Sequence, residues 1–207
     1  MLVGIVIFVL VLVLVGVIYY KTKQKQKQIA AKEQKELEEK RKKQELIRIN
    51  FRKVFPEVDE KFSNLLRIIG KDEKMSFYRT EASKAFNELL RVFLNIVESD
   101  KRLDNLDKLR RGLLPSINDT NTNDKITKES IEKSKILVER INKESNELKK
   151  YIANAKDEIK ATGLDFVKAA AEIELAKASG QSVELSKLRE RSKNLEFITT
   201  HLPISLN

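Results

Sequence analysis

Residues 1–20 read MLVGIVIFVLVLVLVGVIYY, an apolar run without a single charged or amide side chain. As an α-helix, a run of this length spans about 30 Å, the hydrocarbon thickness of a bilayer, and pairs its own backbone polar groups. A cleaved signal peptide would instead show a basic stretch before the apolar core and a small-residue cleavage site after it. The run lacks both flanks, so the sequence predicts a single transmembrane helix that stays attached.

The residues that follow are typical of a membrane–water boundary. Aromatic residues favour the headgroup level, and basic residues beside a transmembrane helix favour the cytoplasmic side. We therefore expect the N-terminus outside and the C-terminal body in the cytoplasm, at the inner cell membrane. The predicted interface residues are Tyr19, Tyr20, Lys21, Lys23, Lys25 and Lys27. The lysines either contact anionic lipid headgroups or only set the topology.

The composition predicts an all-α chain. Charged residues make up 35% of the sequence, there are only six Gly and three Pro, and no run alternates as a strand would. The absence of Cys excludes disulfides and thiolate chemistry. Residues 21–50 hold eleven Lys and Arg but only five Glu. Their surplus of six positive charges is more than half of the net charge of +10. Gln and Thr separate these lysines where a nucleic-acid site would place aromatics, so we expect no nucleic-acid partner.

Residues 21–45 predict a charged helical stalk. Large apolar residues are almost absent from it, while Glu and Lys recur three or four positions apart. Such pairs stabilise a solvated helix that buries no face. We expect a semi-rigid spacer between the membrane helix and the rest of the chain.

Residues 46–115 predict a bundle of short helices with a Phe-rich core. One helix should end near Pro56, and Pro56 should open the next, which Gly70 should end. A third should follow, and a fourth should run from near Asp100 to Pro115. Aromatic residues at helical spacing are usually core, so we assign them to packing and not to a cofactor pocket.

Residues 116–126 predict a polar loop. Three of its residues stand at positions 1, 3 and 5 of a calcium-loop pattern: Asp119, Asn121 and Asn123. Position 6 is Asp124 and not Gly, and position 12 is Ser130 and not Glu. We therefore predict no calcium site, and no metal site elsewhere.

Residues 127–203 predict a coiled-coil hairpin. Thr127 should cap a long helix whose apolar register crosses Gly163 unbroken, which favours one continuous helix. Gly180 should turn the chain, and Ser182 should cap an antiparallel return helix that reaches Leu202. The predicted helix-packing seam comprises Ile131, Val138, Ile141, Leu148, Ile152, Ile159, Phe166 and Ile173. The seam would pack on this chain, in self-association, or on a protein partner.

The usual catalytic constellations are missing from the sequence. His201 is the only histidine, and the six glycines are too scattered to cradle a phosphate. We therefore predict no enzyme, no cofactor and no small-molecule substrate.

The order of segments resembles that of bacterial membrane-tethered coiled-coil proteins such as the septation-ring regulator, and of the peripheral-stalk b subunit of ATP synthase. The resemblance concerns arrangement alone. We expect a non-enzymatic scaffold or adaptor that presents a cytoplasmic bundle at the inner leaflet. Two alternatives stay open: an envelope-spanning or phage-lysis protein with its C-terminal body outside the cytoplasm, and a stalk-like subunit of a membrane complex. The oligomeric state also stays open.

Overall fold

The computed structural model describes residues 2–71, 73–118, 125–180 and 184–201. Within these ranges, the side chains of residues 2–22, 26–28, 30, 116, 118 and 125–127 are left out of the description. Five α-helices make up nearly all of the described chain, and no strand occurs in it, which confirms the all-α prediction. The helices are α1 (Leu2–Val54), α2 (Pro56–Ile69), α3 (Ser76–Asn118), α4 (Lys125–Ser179) and α5 (Ser186–Thr200), with a 3-10 turn at Glu73–Met75.

The chain divides into two compact units, residues 1–49 and residues 50–207. In the first unit, every side chain from residue 31 to residue 46 is exposed, as expected of a charged, solvated helix. Among the residues described with their side chains, no helical segment is both long and apolar enough to cross a membrane. The run at residues 1–20, with its predicted transmembrane helix, lies outside that set.

At the junction of α1 and α2, one helix ends just before Pro56 and the next begins at Pro56, as predicted. α1 ends at Val54, and Pro56 stands in the first turn of α2, where its missing N–H leaves no bond unmade. Arg52 Nε donates a 2.7 Å hydrogen bond to Oδ2 of Asp59, a buried carboxylate in the first turn of α2. The bond fixes the end of one helix against the start of the next. At the other end of α2, Gly70 has φ +71° and its N–H bonds the carbonyl of Leu66, as a helix-ending glycine should.

α3 differs from the prediction, since it is one helix of 43 residues and not two. The polar sequence around Asp100 contains no helix breaker, and Ser99 continues the buried face between Ile96 and Leu106. Pro115 lies inside the helix, three residues before its end. A proline there removes one hydrogen bond of the last turns, which the helix accommodates because it ends at Asn118.

α4 is continuous through Gly163, as the unbroken register predicted. The predicted cap at Thr127 was wrong, because the helix begins two residues earlier at Lys125. Gly180, with φ +70°, ends the turn after α4 as expected. Residues 119–124 of the predicted polar loop, the predicted cap Ser182, and Leu202 lie outside the described residues.

The core is aromatic where α2, α3 and α4 meet. The rings of Phe62 and Phe86 stack at 3.9 Å between centroids, and Phe166 lies 5.3 Å from Phe62. Phe51 and Phe55 complete the cluster by edge contacts with Phe93. Val58 lies beside Gly163, and Ile68 accepts a hydrogen bond from Lys177, so α2 runs parallel to α4, and both run antiparallel to α3.

The final helix, α5, completes a four-helix bundle. Its Arg189 pairs with Glu81 of α3, and its Thr199 carbonyl accepts a hydrogen bond from Asn95, so α5 runs parallel to α3. It runs antiparallel to α4, as predicted, yet its contact with α3 is the more extensive one. Sequence reasoning paired α5 with α4 alone.

Beyond the bundle, α3 and α4 continue as an antiparallel pair, here called the arm (residues 96–118 and 125–150). Leu106, Ile141 and Leu148 form its buried core, with Leu103 and Leu113 packed beside them. Arg102 of α3 and Glu144 of α4 form a salt bridge on one edge. The arm therefore belongs to α3 and α4, and α5 takes no part in its core cluster.

Candidate docking surface

α4 carries an apolar face that no described helix covers. The residues recur at steps of three and four, which is one face of a helix. Leu164, Val167 and Leu175 are 55%, 47% and 70% exposed. We call this face the α4 stripe; it comprises Leu164, Val167, Ala171, Leu175 and Ala178. It extends over about 21 Å at 1.5 Å per residue.

The opposite face of the same helix segment is core. Phe166 is fully buried against Phe62 and Phe86, and Ala169 and Ile173 are buried as well. Between residues 164 and 178, α4 thus carries large apolar side chains on two opposite faces, with charged side chains between them. Several large apolar side chains exposed on one helix face are typical of a surface that binds another protein segment.

The stripe borders a shallow groove between α2 and α4. The groove holds about 650 Å³, with Val167 on its α4 side. On its α2 side lie two acidic and two basic residues, Glu57, Glu60, Lys61 and Arg67. Two polar residues, Ser63 and Asn64, complete the α2 side, so a ligand in this groove would meet one apolar side chain and a rim of mixed charge.

Gly163 sets how closely α2 approaches the stripe. A Cβ at Gly163 would meet Cγ2 of Val58 at 3.1 Å, so the absence of a side chain lets α2 lie directly on α4. At the far end of α2, Lys177 donates a hydrogen bond to the carbonyl of Ile68 in the last turn. Both contacts hold the groove at a fixed width.

An ion-pair network on the other side of α4 fixes α5. Arg191 Nε lies 2.8 Å from Asp165 Oδ2, and its guanidinium also pairs with Glu158. Burial alone would lower the pKa of Arg191, but the hydrogen bonds and charges of Asp165 and Glu158 outweigh it and raise that pKa. One arginine therefore neutralises two acids at the α4–α5 contact and holds the helix that carries the stripe.

The predicted seam lies on the inward side of α4. Ile141, Leu148, Ile152, Ile159, Phe166 and Ile173 are buried, while Ile131 and Val138 are half-buried. Phe166 packs in the bundle core, and Ile141 and Leu148 pack in the arm.

The predicted membrane-interface residues are only partly described. Lys23 and Lys25 are exposed. The side chains of Tyr19, Tyr20, Lys21 and Lys27 lie outside the description. The structure thus leaves the proposed lipid contact as a prediction.

Sequence reasoning missed the α4 stripe, although its signal was present. The heptad pattern identifies the face of α4 that has more apolar residues. Leu164, Val167 and Leu175 are not at heptad positions, so they were not assigned to that face. A search for a second apolar face on the same helix would have found them. Their exposure depends on which helices cover α4, which the sequence does not state.

The described residues include the single histidine and many acidic side chains. Among them, no group of three acidic or histidine residues is placed to hold a metal ion. His201 ends α5, where its ring stacks on Phe197 at 3.9 Å between centroids and its backbone N–H bonds the Phe197 carbonyl.

Comparisons with protein families, with curated proteins and with solved structures gave no significant match for this chain.

Proposed function

We propose that this protein is a single-pass, membrane-anchored scaffold whose helical bundle docks a helix of a partner protein on the α4 stripe. The apolar run at residues 1–20 supplies the anchor, and the charged stalk separates it from the bundle. On this proposal Lys21, Lys23, Lys25 and Lys27 lie at the inner leaflet and the bundle is cytoplasmic.

The observation that carries the proposal is the exposure of three large apolar side chains on one helix face. Burial of apolar surface is worth about 25 cal/mol per Å², or roughly 1.5–3 kcal/mol for a whole Leu or Val side chain. Since the three are about half exposed, covering them recovers on the order of 2–4 kcal/mol. A free energy of this size favours binding at this face and still allows the partner to dissociate.

The partner should be an amphipathic helix with large apolar residues at i, i+3, i+4 and i+7. Such a helix packs into a groove by its apolar face. Its polar flanks would face Glu60, Lys61 and Arg67 of α2, which can pair with either sign of charge. The membrane anchor restricts the search to two dimensions and raises the local concentration of a membrane-bound partner.

Photo-crosslinking in living cells tests the proposal. A photoreactive amino acid is placed at Leu175, and the matched control carries it at Glu174, the adjacent exposed residue that points about 100° away on the helix. We expect one discrete adduct from position 175, little from position 174, and loss of the adduct when Leu164→Glu is added. Equal adducts at both positions, no adduct, or an adduct of twice the chain's mass would each contradict docking of a partner protein.

A further inference from the structure

α5 lies along one edge of the α3–α4 pair, and this edge continues onto the arm. Arg189 of α5 pairs with Glu81 of α3, and Arg191 pairs with Glu158 and Asp165 of α4. Steps of seven residues, about two helical turns, keep a residue on the same side of its helix. On α3 such steps lead through Glu81, Glu88, Asn95, Arg102 and Leu109. On α4 they lead through Asp165, Glu158, Tyr151, Glu144 and Leu137.

Past the end of α5, this edge carries two exposed leucines. α5 ends at Thr200, and Asn95 donates a hydrogen bond to the carbonyl of Thr199, so α5 reaches only the start of the arm. Further along, Arg102 and Glu144 form a salt bridge across the edge. Leu109 and Leu137 come one step of seven later on their helices, so they lie side by side. Leu109 is 59% exposed and Leu137 is 44% exposed, and no helix of the described chain covers them.

The exposed residues around the two leucines are basic, polar or small. One turn from the leucines, on the outer side of each helix, stand Asn105 and Gly112 of α3 and Lys133 and Arg140 of α4. Lys133 pairs with Glu129 of the preceding turn at 2.7 Å. The charge of the edge therefore changes sign along its length. Beneath α5 it presents acids to arginines, and past α5 it presents a lysine and an arginine beside leucines.

Gly112 gives this part of α3 room for a close contact. A glycine inside a helix is less stable than an alanine. A Cβ at Gly112 would meet no described atom within 4 Å, so no contact among the described residues requires the glycine. Where a side chain is absent, another backbone can approach closely.

We propose that the arm edge, the part of this surface from Arg102 to Gly112 and from Lys133 to Glu144, docks an acidic amphipathic helix of a partner protein. The apolar side of that helix covers Leu109 and Leu137, and its Asp or Glu residues pair with the two cations. The helix lies between α3 and α4 in line with α5, which packs on the same edge in the same way.

The arm has the length for such a helix. From Asn95, where α5 ends, to Asn118 is about 35 Å along α3, which accommodates a helix of about 20 residues. The arm edge is separate from the α4 stripe, since Leu137 and Leu164 are about 40 Å apart along α4. The proposal therefore does not rest on docking at the stripe.

A pair of designed peptides tests the arm edge. The acidic probe is a fluorescent helical peptide of about 18 residues with Leu at i, i+3, i+4 and i+7 and Glu at the flanking positions; the matched basic probe carries Lys for each Glu. Binding to the full chain in phosphatidylcholine nanodiscs is followed by fluorescence anisotropy, with empty nanodiscs as the blank. We expect the acidic probe to bind at least about tenfold more tightly than the basic probe. Equal affinities, or no binding of the acidic probe at about 100 μM, would overturn the proposal.

Substitutions on the arm locate the bound probe. Leu137→Ser should weaken binding of the acidic probe at least about tenfold. The matched control, Leu114→Ser, removes a leucine of similar exposure, 41%, that points about 140° away from Leu109 on α3, and it should leave binding unchanged. Lys133→Glu combined with Arg140→Glu should reverse the preference between the two probes. Equal losses for the two serine variants, no loss for either, or an unreversed preference would each contradict docking at the arm edge.

Two further measurements identify other occupants of the arm edge. A chain that stops at His201 should bind the acidic probe with unchanged affinity. Binding that is at least about tenfold tighter would show that the residues after His201 compete for the edge, and would overturn the proposal. Light scattering of the full chain in detergent should give the same mass for the parent and for Leu137→Ser. A dimer in the parent alone would show that a second copy occupies the edge instead.

Discussion

Gly163 of α4 lies directly beneath Val58 of α2, at a distance where an added Cβ would stand 3.1 Å from Val58 Cγ2. A glycine inside a helix costs about 1 kcal/mol of stability relative to alanine. Here it allows two helices to approach more closely than any larger residue would. The tight contact explains why the longest helix tolerates a glycine and stays unbroken.

Enlarging residue 163 should therefore separate α2 from α4. Gly163→Val is expected to lower the free energy of unfolding by about 1–3 kcal/mol, the usual cost of overpacking. Gly163→Ala should change it less, because the gain in helix propensity offsets a shift of a few tenths of an ångström by Val58. Thermal unfolding of the full chain in detergent, followed by circular dichroism, measures both.

The matched control is Gly112, which is also inside a helix but has nothing within 4 Å of its Cβ position. Gly112→Ala should stabilise the protein by up to about 1 kcal/mol. If Gly163→Val proved as harmless as Gly112→Val, the close α2–α4 contact would be wrong.

Removing Arg191 should weaken the pairing of two acids. Asp165 is 8% exposed and would keep only the longer ion pair with Lys168, at 3.7 Å, so Arg191→Met should cost about 1–3 kcal/mol. The double variant Arg191→Met with Asp165→Asn should recover part of the loss. Urea unfolding of the parent chain, the two single variants and the double variant measures the coupling free energy between Arg191 and Asp165.

An exposed ion pair provides the contrast. Arg110 Nη2 lies 2.8 Å from Asp107 Oδ1 on the arm surface. Arg110→Met should leave the unfolding curve unchanged, because water screens exposed pairs. Similar losses for Arg110→Met and Arg191→Met would contradict the structural role of the α4–α5 network.

Alkaline pH should weaken the protein through Tyr151. Burial raises the pKa of the Tyr151 phenol above its ordinary value of 10.0, and the nearby Asn95 side chain opposes that effect only in part. The folded state then holds this proton more tightly than the unfolded state does. The stability from this group is complete below pH 10 and is lost as the pH rises through the raised pKa.

Tyr151→Phe should remove this part of the alkaline loss. The melting temperature of the variant should fall less between pH 9 and pH 11 than that of the parent chain, while the two behave alike near pH 7. Tyrosinate absorbance reports the titration directly. An identical fall in both proteins would show that Tyr151 titrates as an exposed phenol.

The two faces of α4 should respond oppositely to a charge. Ile173 is 1% exposed, so Ile173→Glu places a carboxylate in the core and should unfold the bundle. Leu175 is 70% exposed, so Leu175→Glu should change stability by less than about 0.5 kcal/mol while abolishing docking. Circular dichroism separates the two outcomes, and a folding loss in Leu175→Glu would show that the stripe is covered within the chain.

Sequence reasoning succeeded where local chemistry decides the backbone. Pro56, Gly70 and Gly180 mark helix ends because a missing N–H or a positive φ acts within one turn. It failed at Pro115, since a proline near the end of a helix costs one bond and leaves the helix intact.

The sequence predicted less well which helices pack against each other. An amphipathic pattern shows that a helix has an apolar face, but not which helix covers it. The contact of α5 with α3, and the uncovered stripe of α4, both depend on that choice. The membrane helix at residues 1–20 remains a prediction from the sequence.

One labelling measurement tests the central claim that a membrane-anchored chain presents the stripe to the cytoplasm. Leu175→Cys introduces the only thiol of the chain, on the most exposed of the three large side chains in the stripe. In bacterial spheroplasts, the account predicts that the protein stays with the membranes, resists a membrane-impermeant maleimide, and is labelled rapidly once the membrane is permeabilised. Labelling in intact spheroplasts, or recovery of the full chain in the soluble fraction, would contradict it.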